Sequence, residues 1–146
     1  MAKIEIKIPQ EEIRKIEEVY KNAFNIFGGM TRAGARVTLN TVKSNVPRSW
    51  HGSNIMNNIK LTKAYRTPSD GGINTKIVIN GYFINKNGVR TPAPLVANVF
   101  EHGRSAQSRG GKFVKQPFFR KSFKKDQIEK AMLDEQKRLT GGILDE

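Results

Sequence analysis

Chemistry needs groups that can take up a proton, attack a carbon or hold a metal, and this chain has few of them. It contains no cysteine, so it has no thiolate nucleophile, no thiol metal ligand and no disulfide framework. Its two histidines are His51 and His102, and neither has an Asp or Glu at ligand spacing along a helix or strand. Glu101 and His102 are neighbours, and on a helix adjacent side chains diverge by about 100°, which keeps them from facing one substrate atom. A triad or metal site would have to be built entirely by the fold from distant segments. Gly110-Gly111-Lys112 has a phosphate-loop flavour, but that loop needs a first glycine where Ala106 stands and a magnesium-holding hydroxyl where Phe113 stands. The expectation is therefore a plain loop, no cofactor, no metal and no enzymatic step. Glu101 reads instead as an anchor, paired with a neighbouring Arg or bonded to backbone amides.

Charge is the chain's other resource, and it is unevenly placed. Formal net charge is +13, from 26 Lys and Arg against 13 Asp and Glu. Between Val19 and Lys125 the acids are Asp70 and Glu101, against 19 Lys and Arg. Such a body suits an anionic partner, either nucleic acid or an acidic protein face. The densest run is an acid-free arm carrying Arg104, Arg109, Lys112, Lys115, Arg120, Lys121, Lys124 and Lys125, with Phe113, Phe118, Phe119 and Phe123 interleaved. Cations on phosphates and aromatics on bases would make a nucleic-acid surface. Aromatics beside a proline equally suit core or interface anchors. Arg104, Arg109, Lys112, Lys115, Arg120 and Lys121 are the candidate partner-contact residues, for a subunit or for DNA. Trp50, after Pro47-Arg48-Ser49, is either a lid over the core or a contact residue.

These side chains need elements to position them. Ile4, Ile6 and Ile8 alternate with charged residues as a short strand. Pro9 suits a first helical position, and Ile13, Ile16, Tyr20, Phe24 and Phe27 follow at helical spacing up to Gly28-Gly29, which is expected to end that helix. Thr31 is placed to cap a second helix with the stripe Ala35, Leu39, Val42 and Val46, stopped by Pro47. Ile59 to Arg66 alternates as a strand, and Thr75 to Ile84, apolar on both faces, reads as an inner strand. Asn87-Gly88 signals a hairpin. Pro94 opens a short helix to His102 that is expected to bury Leu95, Val96, Val99 and Phe100, with Gly103 closing it in a left-handed conformation. Two turns cannot persist alone in water, so this helix must dock. A final helix from Pro117-Phe118, clearest from Asp126, carries Ile128, Ala131, Met132 and Leu139 and ends at Thr140-Gly141-Gly142.

At 146 residues the expectation is a single domain over 1–146, with a flexible basic loop at about 104–116 and a frayed C-terminus. No apolar leader opens the chain and no apolar run approaches the roughly 20 residues of a membrane span. A soluble protein with no membrane partner is expected.

The order of these features resembles a known family. A helix with Leu39, Val42 and Lys43 runs into Val46-Pro47. Gly52-Ser53 then precedes an apolar step from Ile55 to Ile59, and a strand pair follows. Val99-Phe100-Glu101-His102-Gly103 comes next, and Gln116-Pro117-Phe118-Phe119 closes the series. This is similar to the minor tail proteins of tailed phages that act in tail completion or head–tail joining. Their pattern is a helix, "Pro … Thr/Ser-Gly", "Ser-Ile", a sheet, "Glu-Phe-Gly-Thr" and "Pro-Phe". Here His102 replaces the usual aromatic, Arg104 the small hydroxyl residue, and Val96-Ala97 the Tyr-Ala. The resemblance implies an α+β fold with a small, mainly antiparallel sheet, long N-terminal helices and a C-terminal helix packed on it. It implies a non-enzymatic structural protein of a phage or prophage, made in the host cytoplasm and then part of the virion tail. Its partners would be itself, as a ring homo-oligomer at the head-proximal end of the tail, and neighbouring head–tail connector or tail proteins, with non-specific contact to channel DNA. Glu101, Gly103, Pro117, Phe118 and Phe119 would be structural anchors. A small basic nucleic-acid-binding protein is the alternative.

Overall fold

The computed structural model describes residues 9–141. The expected strand at Ile4–Ile8 and the last residues, 142–146, lie outside the described residues. Helix α1 (Gln10–Lys21) and helix α2 (Ala23–Asn45) come first. Short strands follow: β1 (Ile59–Leu61), β2 (Tyr65–Arg66), β3 (Ile73–Asn74), β4 (Ile77–Ile79), β5 (Tyr82–Ile84) and β6 (Arg90–Pro92). Helix α3 (Ala93–His102) and helix α4 (Lys125–Thr140) complete the chain. This is a small α+β fold. Among the described residues the strands pair as three antiparallel two-stranded ladders, β1 with β4, β2 with β3 and β5 with β6.

The N-terminal helices break in a different place from the expected one. Gly28-Gly29 does not end a helix, because α2 runs straight through it. The break falls at Asn22, whose amide still bonds Glu18 O and Tyr20 O. Pro9 stands one residue ahead of the helix rather than at its first position. The reason is packing. A Cβ built on Gly29 would lie 2.5 Å from Leu139 Cδ1, one on Gly34 would lie 3.0 Å from Ile128 Cγ2 and Met132 Cγ, and one on Gly28 would lie 3.1 Å from Ala64 Cβ. Small residues let α4 and the Ala64 segment press against α2. That contact offsets the helix-propensity cost of glycine, about 1 kcal/mol each. Thr31 is accordingly no cap. Its Oγ1 donates to Gly28 O and meets Thr75 Oγ1 at 3.0 Å, tying α2 to the chain between β3 and β4.

The expected long inner strand from Thr75 to Ile84 is also two strands. Gly81 has φ +80°, a conformation that side-chain-bearing residues rarely adopt, and turns the chain out of the β1–β4 ladder. Asn58 Nδ2 donates to Tyr82 O, and Ala93 N donates to Gly81 O, so the corner is pinned from both sides. Ile77, Val78, Ile79 and Phe83 are half-buried, but Tyr82 and Ile84 face solvent. The Asn87-Gly88 hairpin is present. Asn85 Oδ1 accepts the amides of Asn87 and Val89, and Gly88 takes φ +75°.

The core gathers Val42 and Val46 from the end of α2, Trp50, Ile55, Ile59 from β1, Ala93 and Ala97 from α3, and Phe118. In α3 the most buried positions are Ala93 and Ala97, with Val96, Val99 and Phe100 half-buried; Leu95, expected inside, is exposed. Alanine at the seam lets the short helix lie close on the core, which turns Leu95 outward. The final helix opens at Lys125, not at Pro117. Pro117–Phe119 instead leads into a 3-10 turn at Arg120–Ser122. Gly141 ends α4 in the left-handed conformation, as its position predicts.

Candidate interface on the Glu101 clasp

Glu101 sits in the last turn of α3, where docking of the helix on Ala93 and Ala97 fixes its direction. Its carboxylate reaches a segment 17 to 19 residues later. Oε2 accepts the amides of Phe118 at 2.8 Å and Phe119 at 2.9 Å, and Oε1 accepts that of Arg120 at 3.1 Å. Three successive amides at the start of the Arg120–Ser122 turn point at one acid. The unpaired N–H groups of a helical turn attract an anion in this way, and here the anion comes from another helix. Burial on its own would raise the Glu101 pKa. The amides of Phe119, Phe118 and Arg120, with His102 beside them, hold the carboxyl below the usual carboxylate value. The anchor expected at Glu101 is thus a clasp on backbone amides.

Below the clasp lies an aromatic chain. Phe118 is 1% exposed and packs edge-on to Trp50 with centroids 4.9 Å apart; Trp50 meets Phe100 at 4.8 Å, and Phe100 meets Phe113 at 4.8 Å. Phe119 contacts Phe118 on the other side and Phe123 beyond it. Trp50, 3% exposed, is therefore the lid of the core rather than a contact residue. Of the arm's four aromatics, Phe118 is buried and Phe113 and Phe119 are half-buried, which leaves Phe123 as the one with an exposed face. Sequence reading passed over Ser122. Its buried hydroxyl donates to Phe118 O and accepts from Asn45 Nδ2 at 2.9 Å, joining the turn to the end of α2. The Phe118–Ser122 spacing of four is the one signal that could have found it.

The basic loop between the two ends of the clasp is closed on itself. Arg104 and Phe113 exchange both backbone hydrogen bonds, each 3.0 Å. The Arg104 side chain turns inward, Nε donating to Gly111 O and Nη2 to Gly110 O, both at 2.7 Å. Arg104 thus holds the loop's shape, while Arg109, Lys112, Lys115, Arg120 and Lys121 are exposed around it. Gly103 takes φ +79° with ψ −174°, a positive-φ conformation that favours glycine but is not the left-handed helical closure expected. A Cβ there would lie 2.9 Å from Phe113 O, so the loop's return strand needs a glycine at this point. Pro117 is exposed, and Gln116 N donates to Phe100 O at 2.7 Å, which seats the loop's exit on α3.

A depression of about 270 Å³ opens beside the clasp, lined among others by Asn98, Glu101, His102 and Arg120. Both Glu101 oxygens are committed to amides there. Among the described residues no group of three or more His, Asp and Glu side chains is placed to hold a metal ion, and no helix is long and apolar enough to cross a membrane. Comparison with protein-family models, with curated proteins and with solved structures finds no match to this chain.

Proposed function

We propose that this chain is a non-enzymatic assembly component of a tailed-phage particle, of the tail-completion or head–tail joining kind. One observation carries the reading. Glu101 ties the end of α3, before the basic loop, to Phe118–Arg120, after it, through three amide hydrogen bonds. The motif residues therefore serve to set both ends of a cation-bearing loop on a rigid base. Arg109, Lys112, Lys115, Arg120 and Lys121 then project from a fixed frame toward an acidic face on a neighbour, where complementary charge gives register and speeds encounter. The order of helix, Pro47, strands, Glu101-His102-Gly103 and Pro117-Phe118 supports the family resemblance behind this reading.

The test is co-assembly of the purified chain with connector and tail proteins from a tailed phage. Combined charge reversal at Arg109, Lys112 and Lys115 leaves the fold intact and abolishes incorporation. Unchanged incorporation overturns the role given to the loop. The same five exposed cations favour a second reading, direct nucleic-acid binding. That reading expects sequence-independent duplex binding whose log affinity falls with log salt by about 0.9 per phosphate contacted, and a shallower slope in the neutralised variant.

A further inference from the structure

Among the described residues that leave apolar surface exposed, two faces are flanked by charges of opposite sign. The first is on α1, none of whose residues is buried. Ile13, Ile16 and Tyr20 line one side of the helix, with Ile16 68% and Tyr20 83% exposed. At about 100° per residue, Glu12 falls on one flank of that stripe and Glu17 on the other. With no buried residue, this helix gains little from packing, and covering its apolar face would stabilise it.

The second face is on the β5–β6 hairpin. Register pairs Tyr82 with Pro92 and Ile84 with Arg90, so these four share one side of the ladder while Phe83 and Thr91 turn toward the protein. Ile84 is 52% exposed. Arg90, opposite Ile84, lies over the Tyr82 ring at 3.9 Å and Lys86 stands exposed in the turn, so the patch carries one cation on its face and another beside it.

Self-pairing of α1 is disfavoured by its own flanks. Whether two such helices run parallel or antiparallel, Glu12 and Glu17 stand against carboxylates of the other copy, and like charges beside a helix seam repel. The helix needs an apolar surface with cations on or beside it, and the hairpin supplies one. We infer that α1 of one copy docks its Ile13–Ile16–Tyr20 stripe on the Tyr82–Ile84–Pro92 face of a second copy, with Glu12 and Glu17 meeting Lys86 and Arg90. Donor and acceptor are different surfaces, so the contact is head to tail and propagates into a closed ring or an open chain. This follows from the two surfaces and holds whatever the basic loop contacts; it is tested with the chain alone, whereas the assembly reading is tested with other proteins.

The experiment is sedimentation velocity on the full chain and two variants, up to about 100 μM, because an interface this small falls at the weak end of specific contacts. The wild type is expected to self-associate. Ile16→Glu, without a working donor, and Ile84→Glu, without a working acceptor, are each expected to be monomeric. An equimolar mixture of the two variants retains one good donor and one good acceptor, and is expected to stop at a 1:1 heterodimer. A second pair guards against misfolding. Glu17→Lys and Arg90→Glu each weaken association at least tenfold, and mixing them restores it. A wild type that stays monomeric throughout overturns the inference. So does Ile84→Glu associating like wild type, or a mixture that forms no heterodimer.

Discussion

Replacing Glu101 by Gln removes the clasp's charge while keeping its size, and the cost can be worked from the geometry. The carboxylate accepts three amides, two of them part-buried (Phe118 and Phe119) and one exposed (Arg120). Hydrogen bonds to a charged group contribute about 1.5–3 kcal/mol each, but the Arg120 amide can find water when released. Gln keeps one carbonyl oxygen for the Phe118 and Phe119 amides and turns its NH₂ toward Arg120, donor against donor. The expected loss is about 2–3 kcal/mol, most of it from weakening two charge-assisted bonds to neutral ones. For a domain of this size that lowers Tm by roughly 5–10 °C. Urea unfolding followed by fluorescence is the assay, since the chain has one tryptophan and Trp50 packs directly on Phe118. The pH dependence supplies an independent arm. Burial pushes the Glu101 carboxyl upward, but its three amides and His102 bring it below the ordinary value. A lowered pKa gives stability that is present above the unfolded-state value of about 4.3 and is lost as pH falls through the folded one. The gap between wild type and Glu101→Gln should therefore narrow on acidification below about pH 5. A variant within about 0.5 kcal/mol of wild type at pH 7, with the same acid limb, would refute the clasp.

Three further outcomes follow from the same packing. Phe118→Ala should cost about 3–5 kcal/mol and shift Trp50 emission to the red, because it removes the ring against which the indole packs. Gly103→Ala should cost about 1–3 kcal/mol from φ +79° together with a Cβ 2.9 Å from Phe113 O; hydrogen exchange should show faster amides at Arg104 and Phe113, where the loop is bridged. Gly34→Leu should cost about 1–3 kcal/mol by pushing Ile128 and Met132 off α2, read as a lower urea midpoint.

Much was legible without coordinates. Alternation and helical spacing located the part of α2 from Thr31 up to Pro47, the Asn87-Gly88 turn of the β5–β6 hairpin and the body of α4 from Asp126, because these signals depend on local backbone preference and on which side of an element is apolar. The solitary acid Glu101 in a cation-rich stretch announced an anchor for the same kind of reason, since few alternatives exist for it. What stayed hidden turned on neighbours distant along the chain. Gly28-Gly29 has the composition of a helix end, and only the approach of Leu139 and Ala64 makes it helix interior. Tyr82 and Ile84 look like core residues, and only the corner at Gly81 turns them out to solvent. Arg104 counts as one more cation in sequence, but the Gly110 and Gly111 carbonyls draw it inward. Composition and period thus determined the broad succession of helices and strands, though not where each breaks, and how strongly basic the body is. Tertiary contact alone decided which glycines are seams, which cations remain free and which three amides share one carboxylate, because each of those outcomes depends on a partner that no local pattern encodes.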